Sequence, residues 1–265
     1  MKEFYTSVER AGNKLLCRGY RNGKQFSYKA DFAPTLFVPT RERSEYKTLV
    51  GGKNVEPIKL NSMYEAKEYA DRYKDVGNFE IFGTTNYVTQ YIQENYPGKI
   101  EFNPELINIA SFDIEVDISD GYPDMETADK EITSIAFKSS KSDTYHLLGR
   151  KDYDKTKTIT GIDPENISFV KFETEAELLR RFVQLWTIDY PDIVTGWNVQ
   201  YFDIQYVIAR IANIFGDAYI KKFSPWNNIR KVSNEIFGKI QSTYAISGIS
   251  VIDYMDAFKK FGYKY

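Results

Sequence analysis

Ile107-Asn-Ile-Ala-Ser-Phe-Asp-Ile-Glu-Val-Asp-Ile118 reads as a strand from the interior of a sheet, except that it carries Asp113 and Glu115. Strand side chains alternate between faces, so these two acids project together, on the side of Ile107, Ile109 and Ser111. Holding neighbouring carboxylates on such a strand is costly unless cations or strong donors offset them. The segment therefore asks for a bound metal ion.

The pattern on either side of it fixes the fold class. From about Glu101 the texture is α/β: Ile107–Ile118, Ile132–Lys138 and Asp143–Leu148 suit three consecutive strands, the last two joined by the polar turn Ser139-Ser-Lys-Ser142. Glu173–Ile188 is an amphipathic helix with Thr174 or a neighbour as cap and Ala176, Leu179, Phe182, Val183 and Trp186 on one face. Asp192–Thr195 makes a short buried strand, and Phe202–Phe215 a further helix stopped by Gly216. Three antiparallel strands, then helix, strand and helix, is the order of a ribonuclease H-like core with a mixed sheet and flanking helices. Before it, residues 1–102 read as a smaller α+β domain. Asn22-Gly23 between Leu15–Tyr20 and Gln25–Lys29 predicts a tight hairpin. The stretch through Lys53 reads as loop, Ser62-Met-Tyr-Glu65 as a capping box opening a helix that stops at Gly77, Phe79–Phe82 as a strand, and the run to Tyr96 as a short helix. The second domain is expected to occupy residues 103–265.

Composition narrows the chemistry. With 265 residues, 42% apolar and 27% charged, the chain can build real cores. No apolar run marks a secretion signal or a membrane span, so a soluble intracellular protein without a membrane partner is expected. Cys17 is the only cysteine, which excludes an internal disulfide and multi-cysteine metal sites, and it reads as a core thiol. His146 is the only histidine, which excludes zinc sites built on several histidines; with no G-x-S-x-G elbow, it reads as structural. Carboxylates, lysines and tyrosines are left to carry any reaction. Charge is uneven: the first 100 residues hold 16 Lys and Arg against 12 Asp and Glu, a balance of +4, and the remainder carries −6. That permits a local nucleic-acid surface, and aromatic residues at 16% could stack on bases, although most belong in cores.

Three further Asp-x-Glu pairs, Asp124/Glu126, Asp129/Glu131 and Asp163/Glu165, lie in polar, loop-like stretches where solvated charge explains them. Only Asp113/Glu115 interrupts an apolar strand. Asp203 falls in the first turn of the helix that follows the Asp192–Thr195 strand, at the carboxyl end of a strand, where open α/β sheets gather their sites. Alone, it could merely favour the helix N-terminus. If the two strands are neighbours, three acids converge. Carboxylates without histidine or thiolate favour Mg²⁺ or Mn²⁺, and phosphodiester hydrolysis is the matching chemistry.

Phe112-Asp-Ile-Glu-Val116 and Asn198-Val-Gln-Tyr-Phe-Asp203 resemble the first two exonuclease motifs of replicative family B DNA polymerases, particularly those of T-even-like tailed bacteriophages. The likeness continues through Lys221–Pro225 and Gly248–Phe261, and includes Met1–Tyr5. It implies a polymerase N-terminal domain followed by a 3′–5′ proofreading exonuclease. Asp113, Glu115 and Asp203 would be its catalytic and metal-binding residues, in a two-metal site when the domain is complete. The same resemblance places Tyr122, Asn198 and Phe202 near the terminal nucleotides. It reads Ile229–Ile246 as a strand-separating β-hairpin with Gly238 and Lys239 at its tip, where Arg230, Lys231 and Lys239 could meet phosphates. Asp253 and Asp256 are read as structural. The implied partners are primer-template DNA with its single-stranded 3′ end and the remaining polymerase domains, in cis or as a second chain; the implied location is the cytoplasm of an infected bacterium. One departure stands out: the family's Tyr-x-x-x-Asp motif has no match in this chain. The expectation is a fragment or divided-gene product, weak or inactive alone, with a noncatalytic single-strand-binding or assembly subunit as the alternative.

Overall fold

The computed structural model describes residues 3–77, 79–157, 161–236 and 239–262, leaving aside the side chains of Lys155, Ile236 and Lys239. The chain divides into two compact units, Met1–Phe102 and Asn103–Tyr265.

In the first unit, β1 (Glu3–Ala11), β2 (Lys14–Arg21) and β3 (Lys24–Ala30) form an antiparallel sheet in that order. Asn22 and Gly23 join β2 to β3 with φ of 50° and 79°, the left-handed geometry that the Asn-Gly pair predicted. A second sheet, in the order β4-β6-β5, contains β4 (Thr35–Pro39), β5 (Tyr46–Lys47) and β6 (Asn54–Lys59). β5 thus lies within a stretch read from sequence as loop. Ser62 caps α1 (Met63–Tyr73) by accepting from the Glu65 amide at 3.1 Å. The reciprocal arm goes to the Asn61 amide instead of Ser62, so the box is displaced by one residue. Phe79–Phe82 is not a strand: only Phe82 pairs, as an isolated bridge to Phe37. Phe79 instead packs its ring against Tyr73. α2 (Tyr87–Asn95) closes the unit, and Cys17 is fully buried in its core, with Leu15, Leu36, Met63 and Tyr91.

The second unit is mixed α/β. β7 (Ile109–Val116), β8 (Ile132–Ser139) and β9 (Tyr145–Gly149) run antiparallel, and β10 (Ile167–Lys171) adds in parallel beyond β9. After α3 (Glu175–Ile188), β11 (Ile193–Gly196) pairs in parallel with β7, leading to α4 (Asp203–Phe215) and the short α5 (Asp217–Ile220). β12 (Ile229–Ile236) and β13 (Lys239–Ile246) make a separate antiparallel hairpin. β14 (Ser250–Asp253) joins the far side of β11, and α6 (Tyr254–Phe261) follows. The resulting sheet has the order β10-β9-β8-β7-β11-β14.

One face of that sheet holds the core. Ala110, Phe112 and Ile114 point inward from β7 toward Phe182 and Trp186 of α3 and Ile208 of α4, all within one buried cluster. Each large side chain hidden in this way contributes about 1.5–3 kcal/mol. Trp186 also places its indole N–H on the Phe223 carbonyl at 2.9 Å, so the ring is buried without a stranded donor. Thr174 and Glu177 form a complete capping box at the head of α3.

Candidate active site

β7 delivers two of the expected acids by simple alternation. Ile109, Ser111, Asp113 and Glu115 occupy the open face while Ala110, Phe112 and Ile114 are buried. Asp113 lines a cavity of about 340 Å³ on that face, with Ser111, Tyr145, His146, Ile167 and Trp197. Burial there pushes its carboxyl above the usual carboxylate range. Glu115, one step further along the strand, looks instead toward a second hollow that it shares with Lys151, Tyr153 and Phe169.

Asp203 arrives from a different part of the chain. β11 pairs with β7 only as far as Thr195 opposite Ser111. Beyond that point the edge of β7 is free, and the Ile114 amide on it donates to Asp203 Oδ1 at 3.0 Å. The first residue of α4 therefore continues, with a side chain, the hydrogen bonding that the strand abandons. Asp203 is 2% exposed, and burial raises its carboxyl to about 7. The Ile114 N–H partly opposes that shift, while the neighbouring Asp113 and Asp253 carboxylates add to it. Among the described residues, Asp113, Glu115 and Asp203 make no ion pair. Burial and a neighbouring acid both disfavour the charged form of Asp203, and a bound cation would offset that cost.

The loop between β11 and α4 is tightly shaped. At Gly196 a Cβ would fall 2.9 Å from Val199 Cβ and 3.2 Å from the Phe112 carbonyl, so only glycine lets the loop lie against β7. Asn198 takes a left-handed φ of 57°, tolerable for asparagine. Its carbonyl accepts from Phe202 N at 3.0 Å, and the Val199 carbonyl accepts from Ile204 N at 2.9 Å, which starts α4. Phe202 is half-buried and stacks on Tyr206 at 6.3 Å.

The structure thus brings Asp113 and Asp203 together and keeps Glu115 on the same strand face. It does not assemble a closed triad: among the described residues no group of three or more His, Cys, Asp or Glu side chains is close enough to hold an ion. The expected convergence is a pair. Magnesium commonly binds through one or two carboxylates and completes its shell with water and phosphate oxygens, so the hard oxygen pair fits such an ion.

The outer residues are spread around this pair. Tyr122 is 91% exposed on the loop between β7 and β8. Arg230 is exposed on β12, whereas Lys231 is already engaged, its Nζ 2.5 Å from Glu126 Oε2 on the Tyr122 loop. Gly238 and the Lys239 side chain lie outside the described residues. Two features escaped the reading of the sequence. Arg210 of α4 grips Glu175 at 2.7 Å and the Ala128 and Asp129 carbonyls, fastening the Tyr122 loop. Asp253 reaches back to the Asn198 loop. An acid ending the short Ser250–Ile252 run, just before an amphipathic segment, was the available signal for the second.

A family model described as DNA polymerase family B, exonuclease domain, matches residues 56–264. The chain belongs to this family. The match begins inside the first unit, so the family B likeness is not confined to the sheet that carries the acids. The DNA-directed DNA polymerase of Enterobacteria phage T4 is 31% identical over 283 residues, covering 99% of this chain and 31% of its own length. That of Escherichia phage RB69 is 31% identical over 285 residues with the same coverage. A DNA polymerase catalytic subunit of human herpesvirus 8 type P is 28% identical over 123 residues, 45% of this chain. The family B chain thus spans 31% of the length of its two phage relatives. No described helix is long and apolar enough to cross a membrane.

Proposed function

We propose that the second unit hydrolyses the 3′-terminal phosphodiester of DNA with a divalent cation, as the proofreading exonuclease of a replicative polymerase, and that the first unit is the N-terminal domain of that polymerase. The observation that carries this reading is the buried Asp203 carboxylate beside Asp113, where β7 runs on past its pairing with β11 and where, among the described residues, no basic side chain forms an ion pair with either. Mg²⁺ or Mn²⁺, when bound, would activate water and stabilise charge on the phosphate and leaving oxygen. Asp113 and Asp203 would hold it, Asp203 giving up the proton that burial favours, and Glu115 would reach it from the same face of β7. The Ile114 amide fixes Asp203 Oδ1, leaving Oδ2 as the oxygen available to an ion. Asn198 and Phe202, on the loop and at the head of α4, flank the place of the terminal nucleotide. The exposed Tyr122 ring offers a stacking surface of about 1–3 kcal/mol per base that ignores sequence. Arg230, Lys231 and Lys239 meet backbone phosphates, and Lys231 first exchanges Glu126 for phosphate. Primer-template DNA, the rest of the polymerase and the cytoplasm of an infected bacterium complete the proposal.

The test is release of nucleotides from a 3′-labelled single strand by the full-length protein that carries these residues, against its Asp113→Ala/Glu115→Ala form. Loss of metal-dependent release in the variant is expected; equal hydrolysis refutes the assignment. The lack of an assembled triad favours one second reading, a noncatalytic single-strand-binding subunit. That reading requires strand binding with no metal-dependent release in either protein.

A further inference from the structure

We propose that Asp253 is a positioning residue for the candidate site: its carboxylate holds the loop that places Asp203. The inference rests on the reading of Asp113 and Asp203 as ion ligands. Asp253 ends β14 directly opposite Gly196, the last residue of β11, so it sits where the loop to α4 leaves the sheet. It is 5% exposed. Its Oδ1 accepts from the Asn198 amide and the Met255 amide, each at 2.9 Å, and its Oδ2 from the Gln200 amide at 3.1 Å. Capping α6 requires only the Met255 bond. The other two bonds cross more than 50 residues of sequence to the loop.

Those bonds reach Asp203 through the backbone. With Asn198 and Gln200 pinned by their amides, the Asn198 and Val199 carbonyls are aimed at Phe202 N and Ile204 N, which fixes the first turn of α4. That turn carries Asp203 to the Ile114 amide. Thr243 Oγ1 on the Gln200 carbonyl braces the same loop from the hairpin, and Thr195 Oγ1 on the Ile252 carbonyl at 2.7 Å ties β11 to β14 just before it. Asp253 is the only one of these anchors to take two loop amides. Groups that hydrogen-bond a ligand directly are worth roughly 10–100-fold in metal affinity, and Asp253 acts one step further out, through the loop backbone.

Asp253→Asn and Asp253→Ser separate the roles. Both residues cap helices well, but asparagine presents an NH₂ where one carboxylate oxygen accepted, and serine is too short to span the loop. Mn²⁺ binding to the full 265-residue chain is measured by electron paramagnetic resonance, and the amide signals of Asn198, Gln200 and Met255 by ¹⁵N–¹H NMR, with Asp203→Asn alongside. In Asp253→Ser, Asn198 and Gln200 signals are expected to move upfield while Met255 holds. In both Asp253 variants Mn²⁺ affinity is expected to fall by about tenfold, the lower end of the range for direct partners. Unmoved loop amides, or moved amides with unchanged affinity, overturn the proposal. If the unmodified chain binds no Mn²⁺ and Asp203→Asn changes nothing, the metal reading has failed, and the proposal fails with it for that distinct reason.

Discussion

Replacing Asp203 with asparagine should make the metal-free protein more stable, and the gain should grow with pH. The carboxyl titrates at about 7 in the folded chain against a usual 3.8. Between those values the unfolded chain has already lost the proton that the folded chain retains. The native state therefore binds more protons, and its stability falls as pH rises from about 4 to about 7. At about 1.4 kcal/mol per tenfold change, the full cost above pH 7 is about 4 kcal/mol, with less than half of it present at pH 5. Asp203→Asn is neutral throughout, and its amide oxygen can still accept from Ile114. Urea unfolding in EDTA at pH 5 and pH 8 measures both proteins. Trp186, Trp197 and Trp226 all lie in the second unit, so their fluorescence follows the unit that holds Asp203. The advantage of the variant should be about 3 kcal/mol larger at pH 8. An advantage independent of pH, or a variant less stable at pH 8, would refute the reasoning that a buried, uncompensated charge sits at the head of α4.

Thr174→Ala removes the hydroxyl from the α3 capping box and should cost about 1 kcal/mol in urea unfolding, with the sheet unchanged by circular dichroism. Gly196→Ala sets a methyl against Val199 and the Phe112 carbonyl, and should cost about 1–3 kcal/mol and displace the Asn198 amide signal. Tyr122→Ala, at a 91% exposed position, should leave the unfolding midpoint within about 0.5 kcal/mol while weakening single-strand binding by about 1–3 kcal/mol, measured by fluorescence anisotropy.

How far these features could be read in advance depends on their range along the chain. The two-residue alternation of β7, the Asn22-Gly23 turn and the Thr174 cap are decided by neighbours within a few residues, and each forms as its residues specify. Phe79–Phe82 has strand-like composition, but no partner strand runs along it; Tyr73 takes Phe79 and a single bridge takes Phe82, so tertiary context overrides propensity. β10 and β14 are short and lie at the two edges of the sheet, where pairing with one neighbour leaves little periodic signal. At the site, the positions of Asp113 and Glu115 were legible. The link from Asp203 to the Ile114 amide was not, because it depends on β11 ceasing to pair at Thr195. The same holds for Asp253, whose partners lie more than 50 residues away.

Diffraction from crystals soaked in Mn²⁺, recorded at the manganese edge, tests the ion-binding claim most directly. An anomalous peak is expected within about 2.5 Å of carboxylate oxygens of both Asp113 and Asp203, and it should vanish in Asp203→Asn. Saturating Mn²⁺ with no peak between those two side chains, or a peak that survives the substitution, would contradict it.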